Sequence, residues 1–168
     1  MPAGSTYTPI ATTTLGSAQS TVTFSSISGS YTDLRFIINY GLSTVTSARL
    51  KINSDSSTNY SYTGIRGNGT NATSYRSSSS NVGTFAFNIF PDNTLSGTAI
   101  IDFQNYSNTT TNKTWLSRSN AIGGSYAGTE ALVGLWRQTS ALSSVEFSLD
   151  AGQYITGSTF TLYGIASA

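Results

Sequence analysis

Apolar and polar residues alternate through most of this chain, and that alternation leaves few architectures open. Leu34, Phe36, Ile38 and Tyr40 fall on one side of a pleated strand. Ala48, Leu50 and Ile52 interleave with Arg49 and Lys51, and Ala99, Ile101 and Phe103 interleave with Ile100 and Asp102. Val145, Phe147 and Leu149 alternate with Glu146 and Ser148; Phe85, Phe87 and Ile89 repeat the pattern, as do Phe160 and Leu162. Successive side chains of a strand point to opposite faces, so this pattern predicts antiparallel strands with one face on a core and one in water. Segments rich in threonine, valine and tyrosine predict further strands at Thr8–Thr14, Thr21–Phe24, Lys113–Arg118 and Glu130–Trp136.

No window sustains a helical period with caps. Gly128–Trp136 is ambiguous, and β-branched Val133 between glycines turns it towards strand. Gly, Asn, Ser and Asp punctuate the chain at Ser28-Gly29-Ser30, Asn53-Ser54-Asp55, Pro91-Asp92-Asn93, Ser107-Asn108 and Asp150-Ala151-Gly152. The fold class is therefore all-β: an antiparallel, jelly-roll-like β-sandwich of about eight to ten short strands, spaced by about 8–12 residues. One domain spans residues 1–168, with a short N-terminal arm over 1–8. Its inner face is expected to hold Leu34, Phe36, Ile38, Phe85, Phe87, Ile101 and Phe103, and further on Val133, Leu135, Phe147, Phe160 and Leu162. The segment Ser54–Ser80 is poor in aliphatic residues and is expected to be a surface loop packed over one end of a sheet.

Composition supports a folded domain with an unusual surface. A chain of 168 residues buries roughly 70% of the surface it exposes when unfolded. Aromatic residues reach 12%, enough for a core, while charged residues are only 9%. Ser, Thr and Asn take the place of charge. The net charge is +1 and the basic residues form no run, so no field recruits nucleic acid or anionic lipid. No apolar run approaches the ~20 residues that a membrane-spanning helix needs. The opening Met1-Pro2-Ala3-Gly4-Ser5-Thr6 has neither the basic start nor the apolar stretch of a secretory signal.

The chemistry available to such a chain is narrow. It has no Cys and no His, which removes thiolate and imidazole ligands, disulfides and His-based triads. The acids Asp33, Asp55, Asp92, Asp102, Glu130, Glu146 and Asp150 are dispersed, and most are expected in turns or on wet strand faces. Two carboxylates suffice for a glycosidase, with Asp102 and Glu130 as the pair to test. Neither Asp92-Asn93 nor Asn53 with Asp55 is dense enough for a calcium loop. Gly64-Ile65-Arg66-Gly67-Asn68-Gly69 has the glycines of a phosphate loop without its strand-to-helix setting. The Asn-x-Ser/Thr triplets at Asn59, Asn68, Asn71, Asn105, Asn108 and Asn112 follow from composition. No catalytic residue, metal or cofactor is implied, and the chain reads as a non-enzyme. Trp115 and Trp136 are expected in the core, with a sugar platform or subunit anchor as the alternative.

Several stretches, taken in order, resemble a family of structural proteins encoded by tailed bacteriophages. They are YTPIATTTLG at Tyr7–Gly16, VTFSSI at Val22–Ile27, YTDL at Tyr31–Leu34 and NYSNTTTNKT at Asn105–Thr114. VGLWR at Val133–Arg137 and GSTFTLYGI at Gly157–Ile165 complete the series. The resemblance implies a jelly-roll-like domain in a virion, made in the host cytoplasm. The resemblance does not say where on the virion; the reading is a capsid decoration (cement) protein that binds the major capsid protein or other virion proteins, and sandwich edges with little charge to block them lead to the expectation of a homotrimer on threefold lattice axes. The alternative is a tail- or fibre-associated module that contacts host glycans. A first strand close to Met1 fits a free-standing lattice protein. The candidate contact residues are Tyr7 on the arm, and Tyr60, Tyr62, Arg66, Tyr75 and Arg76 on the excursion.

Overall fold

The structure, a computed structural model, describes residues 6–87, 93–123 and 126–166. They form twelve strands and no helix. In chain order these are β1 (Tyr7–Thr14), β2 (Thr21–Phe24), β3 (Asp33–Tyr40), β4 (Ala48–Ile52), β5 (Tyr60–Gly67) and β6 (Ala72–Ser80). They continue with β7 (Gly83–Ala86), β8 (Gly97–Phe103), β9 (Lys113–Gly123), β10 (Tyr126–Trp136), β11 (Val145–Leu149) and β12 (Thr159–Ile165). An eight-stranded sheet, in the order β1-β12-β3-β8-β9-β10-β5-β6, faces a four-stranded sheet, β2-β11-β4-β7. Every pairing is antiparallel. The chain is thus an antiparallel β-sandwich, with more strands than the sequence alternation predicts.

The core lies between the sheets and is built on rings. Phe147 of β11 meets Phe36, Phe85, Phe160 and Phe24 at centroid distances of 5.0, 5.4, 5.8 and 6.3 Å. Most of these contacts are edge-to-face, the arrangement the ring quadrupole favours. Leu34, Phe36, Ile38, Phe85, Ile101, Phe103, Phe147, Phe160 and Leu162 are all buried, as the alternation predicts. Phe87 is half-buried, and Ile89 lies outside the described residues.

Three expectations are corrected. The excursion Ser54–Ser80 is not a loop: most of it is the β5–β6 hairpin, paired from Gly67↔Ala72 to Tyr60↔Ser80. It reads as a loop because β6 ends the sheet, and its Ser, Thr and Ala side chains carry no apolar stripe. Asn53 and Ser54 turn the chain into it, both with positive φ, and the Asn53 side chain is bonded to Ser143, Ser144 and Ala141. The arm is also shorter than expected, because Tyr7 and Thr8 pair with Ile165 and Gly164 of β12; residues 1–5 lie outside the described residues. Lastly, Val133 and Leu135 do not face the core. Leu132, Gly134 and Trp136 do, and Val133 is 47% exposed. Nearly every position from Ala131 to Trp136 is apolar or glycine, so alternation gives no parity there. The indoles decide it: Trp136 is buried, and the Trp115 ring lies where a Cβ on Gly134 would stand.

Candidate functional site

The outer face of the large sheet, turned away from the sandwich, carries the most conspicuous surface. Cross-strand register places Ile37, Ile100, Arg118, Ala131 and Ile65 side by side on β3, β8, β9, β10 and β5. The neighbouring row runs Arg35, Asp102, Leu116, Val133, Thr63 and Arg76. Ile65 is 62% exposed, Leu116 49% and Val133 47%. Small Ala131 leaves a shallow groove of about 550 Å³ between the larger side chains. Scattered exposed apolar residues are ordinary on any protein, whereas the adjacency of Leu116, Val133, Ala131 and Ile65 makes this face the candidate surface.

The charged end of the second row is tied down. Arg35 grips Asp102 through Nε at 2.5 Å and Nη2 at 3.0 Å. Its Nη1 donates to the Tyr7 hydroxyl at 2.9 Å, and the guanidinium sits 5.4 Å from the Tyr7 ring centroid. The Asp102 hydrogen bond holds the Arg35 pKa above its ordinary value, against desolvation. A paired charge of this kind is a polar rim to this surface rather than a free cation.

The six candidate contact residues separate. Tyr7 and Arg76 lie at opposite margins of the outer face and are exposed. Tyr60 is fully buried and is no contact residue: its hydroxyl accepts from the Ile52 amide at 3.0 Å and donates to the Asp55 carbonyl at 3.0 Å. Burial raises its pKa to about 12. Tyr62 and Tyr75 are half-buried and point inward with Phe87, their ring centroids 4.7–6.4 Å apart. Arg49 completes this cluster. It binds Asp150 through Nε at 2.8 Å and Nη2 at 2.5 Å, donates to Tyr62 and Thr84 hydroxyls, and lies 5.5 Å from the Phe87 ring centroid. The hairpin thereby seals the β7 end of the small sheet. Arg66 donates to Thr73 at 2.9 Å, across the β5–β6 ladder.

The two acids named as a hydrolytic pair sit on opposite faces of one sheet. Asp102 faces out, whereas Glu130 is 3% exposed and faces in. Such a pair cannot flank a single glycosidic bond. Glu130 also departs from the expectation that the acids lie in turns or on wet faces. Its Oε2 accepts from the Phe87 amide at 2.8 Å and the Ser119 hydroxyl at 3.3 Å, while Oε1 has no partner. Burial drives its pKa up to about 8, opposed by the Phe87 amide and by Arg66. The buried Tyr40 hydroxyl, also without a partner, is raised further by Glu130 after desolvation. Among the described residues no group of three or more His, Cys, Asp or Glu could hold a metal ion.

Sequence reasoning missed the apolar cluster and Glu130. No local signal announces the cluster, because its members come from β5, β9 and β10 and meet only through register. The tryptophans could have corrected part of this: placing Trp136 inward turns Val133 outward. Both indoles are sealed in the core, so neither is a sugar platform. The Trp115 Nε1 donates to the Thr84 carbonyl at 3.0 Å, and the Trp136 Nε1 to Asp55 at 2.7 Å.

No protein-family model matches the chain, and no curated protein matches it in sequence. Among solved structures it is similar to the galectin LEC-6 of Caenorhabditis elegans, at 10% identity. The match covers 90% of this chain and 94% of that one, with a TM-score of 0.36. So distant a likeness carries no residue and no ligand across.

Proposed function

We propose that this chain is a non-enzymatic structural protein of a tailed-phage virion, attached to the outer capsid lattice by the outer face of its eight-stranded sheet. The observation that carries the reading is the exposed apolar cluster of Leu116, Val133, Ala131 and Ile65 on β9, β10 and β5, bordered by Arg118 and Asp102, in a chain with few charges. An interface of this kind works by area and shape, because charge is scarce. Bridging neighbouring capsid subunits would oppose the outward pressure of packaged DNA. The order of strand-and-turn stretches that resembles phage structural proteins supports the same reading. The partners on this view are the major capsid protein or its neighbours, and the location is the virion.

The test is to image labelled protein on purified particles and to repeat the binding with L116K/V133K. Label over the shell, weakened by these substitutions and nearly indifferent to salt, is the expected result. Label confined to the tail tip would overturn it in favour of a module that contacts host glycans. Retention of full attachment by L116K/V133K would overturn the assignment of the face.

A further inference from the structure

We infer that, in place of the homotrimer expected from the sequence, the β6 edge of the large sheet pairs antiparallel with β6 of a second copy, closing a two-fold dimer in which the two eight-stranded sheets become one. The inference rests on how the sheet edges are treated and is independent of the virion reading.

Unpaired strand edges invite other strands, and proteins block them with proline, bulges, charge or cover. The large sheet ends in β1 and β6. The β1 edge carries Pro9, which has no amide to donate, and its register shifts between Pro9 and Ala11. In the small sheet β2 has only four residues, and β7 is buried throughout and packed against β5, β9 and β10. β6 lacks proline and cover, and its own register shift, where Tyr62↔Ser77 gives way to Tyr60↔Ser80, lies at its C-terminal end and leaves Ala72–Ser77 regular. It runs nine residues, Ala72–Ser80, without proline and with Arg76 as its single charge. Its backbone pairs with β5 on one side, and no other backbone bond among the described residues reaches it. Every second residue of an antiparallel strand directs its N–H and C=O away from a given neighbour, so β6 offers a row of open donors and acceptors over its regular stretch, Ala72–Ser77.

The occupant must be an extended strand whose own edge is open over several regular residues. Among the described residues β6 alone meets that description, so the fitting partner is a second copy. Pairing of identical antiparallel strands is isologous: each copy gives and receives the same bonds, and both open edges are consumed. Growth stops at two, because the far edges are the β1 strands blocked by Pro9. A heterologous β6-to-β1 contact would instead propagate into a filament. Register is constrained by Arg76, since like charges directly opposite are unfavourable. Setting the two-fold axis at Tyr75 places Arg76 opposite Ser74 and Thr73 opposite Ser77. In that register the outer faces of both copies lie on one side, their apolar residues separated by the two polar β6 strands.

The experiment is sedimentation equilibrium of the full chain across a wide concentration range, with amide exchange followed strand by strand. Wild type should show a two-copy mass, and protection of β6 amides should rise with concentration while β1 amides stay constant. S74K/S78K puts two lysines on exposed edge positions and should raise the dimer dissociation constant by about tenfold or more. T12K, an exposed lysine on the β1 edge, should leave it unchanged. A one-copy mass at every concentration, a three-copy mass, or a dimer indifferent to S74K/S78K overturns the proposal. The wild-type exchange pattern decides the matter if the double substitution disturbs folding.

Discussion

Replacing Glu130 by glutamine keeps the shape of the side chain and removes its charge. In the wild type Oε2 takes the Phe87 amide and the Ser119 hydroxyl, and Oε1 faces no partner. The amide oxygen of glutamine can occupy the first position and its nitrogen the second. Burial lifts the carboxyl from its ordinary 4.5 to about 8. Below pH 4.5 the group is protonated in both folded and unfolded chains, and its contribution to stability is fully present. Between 4.5 and about 8 the unfolded chain ionises while the folded chain keeps its proton, so stability falls as pH rises. Above that window the loss is complete. At about 1.4 kcal/mol per pH unit the loss is at most about 5 kcal/mol, and water entry around the carboxylate lowers it to about 2–3 kcal/mol. Denaturant titrations of wild type and Glu130→Gln from about pH 4 to about pH 9 give the two stabilities. The curves should nearly meet at the acid end and separate as pH rises, with the glutamine protein the more stable. Parallel curves, or a carboxyl-carbon NMR titration centred near 4.5, would refute the reasoning and mean that Glu130 is hydrated in the folded chain.

Phe147→Ala removes a ring that meets Phe24, Phe36, Phe85 and Phe160, and should cost about 3–5 kcal/mol in chemical denaturation; a loss under about 1 kcal/mol would remove it from the core. Gly134→Ala pushes a methyl group into the Trp115 ring and should cost about 1–3 kcal/mol, with less of that cost in a Trp115→Leu background if the ring is the obstacle. Asp55 accepts bonds from Asn59, the Ser57 amide and Trp136; burial pushes its pKa up, but these bonds outweigh it and bring it from 3.8 to about 2. Its contribution, about 1–2 kcal/mol after allowing for partial exposure, is present above 3.8 and lost as pH falls through about 2. The stability gap between wild type and Asp55→Ala should therefore close in strong acid, and a gap independent of pH would show that the carboxylate is not the source.

The alternation was sufficient for the sandwich because a half-buried strand writes its burial into every second residue. Leu34, Phe36 and Ile38 opposite Phe147 and Leu50 are that rule at work. It fails where both faces meet apolar surroundings. Along Ala131–Trp136 either parity satisfies the pattern, and the choice falls to the volume of Trp115 and Trp136, which composition shows but alternation does not weigh. Glu130 was illegible for a related reason. A buried acid reads as a surface acid until the Phe87 amide and Ser119 hydroxyl that receive it are brought from β9 and the end of β7.

The candidate surfaces lie further from the sequence than the core does. Leu116, Val133 and Ile65 belong to separate strands, and only the β9–β10–β5 register makes them neighbours. Each alone is an ordinary exposed apolar residue. β6 shows the same limit from the other side. A strand announces itself through the face it buries, and Ala72–Ser80 is exposed or half-exposed throughout, so its text is that of a loop. The missing apolar stripe that hides β6 from sequence reasoning reflects a strand at the end of its sheet, with β5 on one side and, among the described residues, no strand on the other. For that reason its illegibility and its capacity to accept a partner strand have one physical origin.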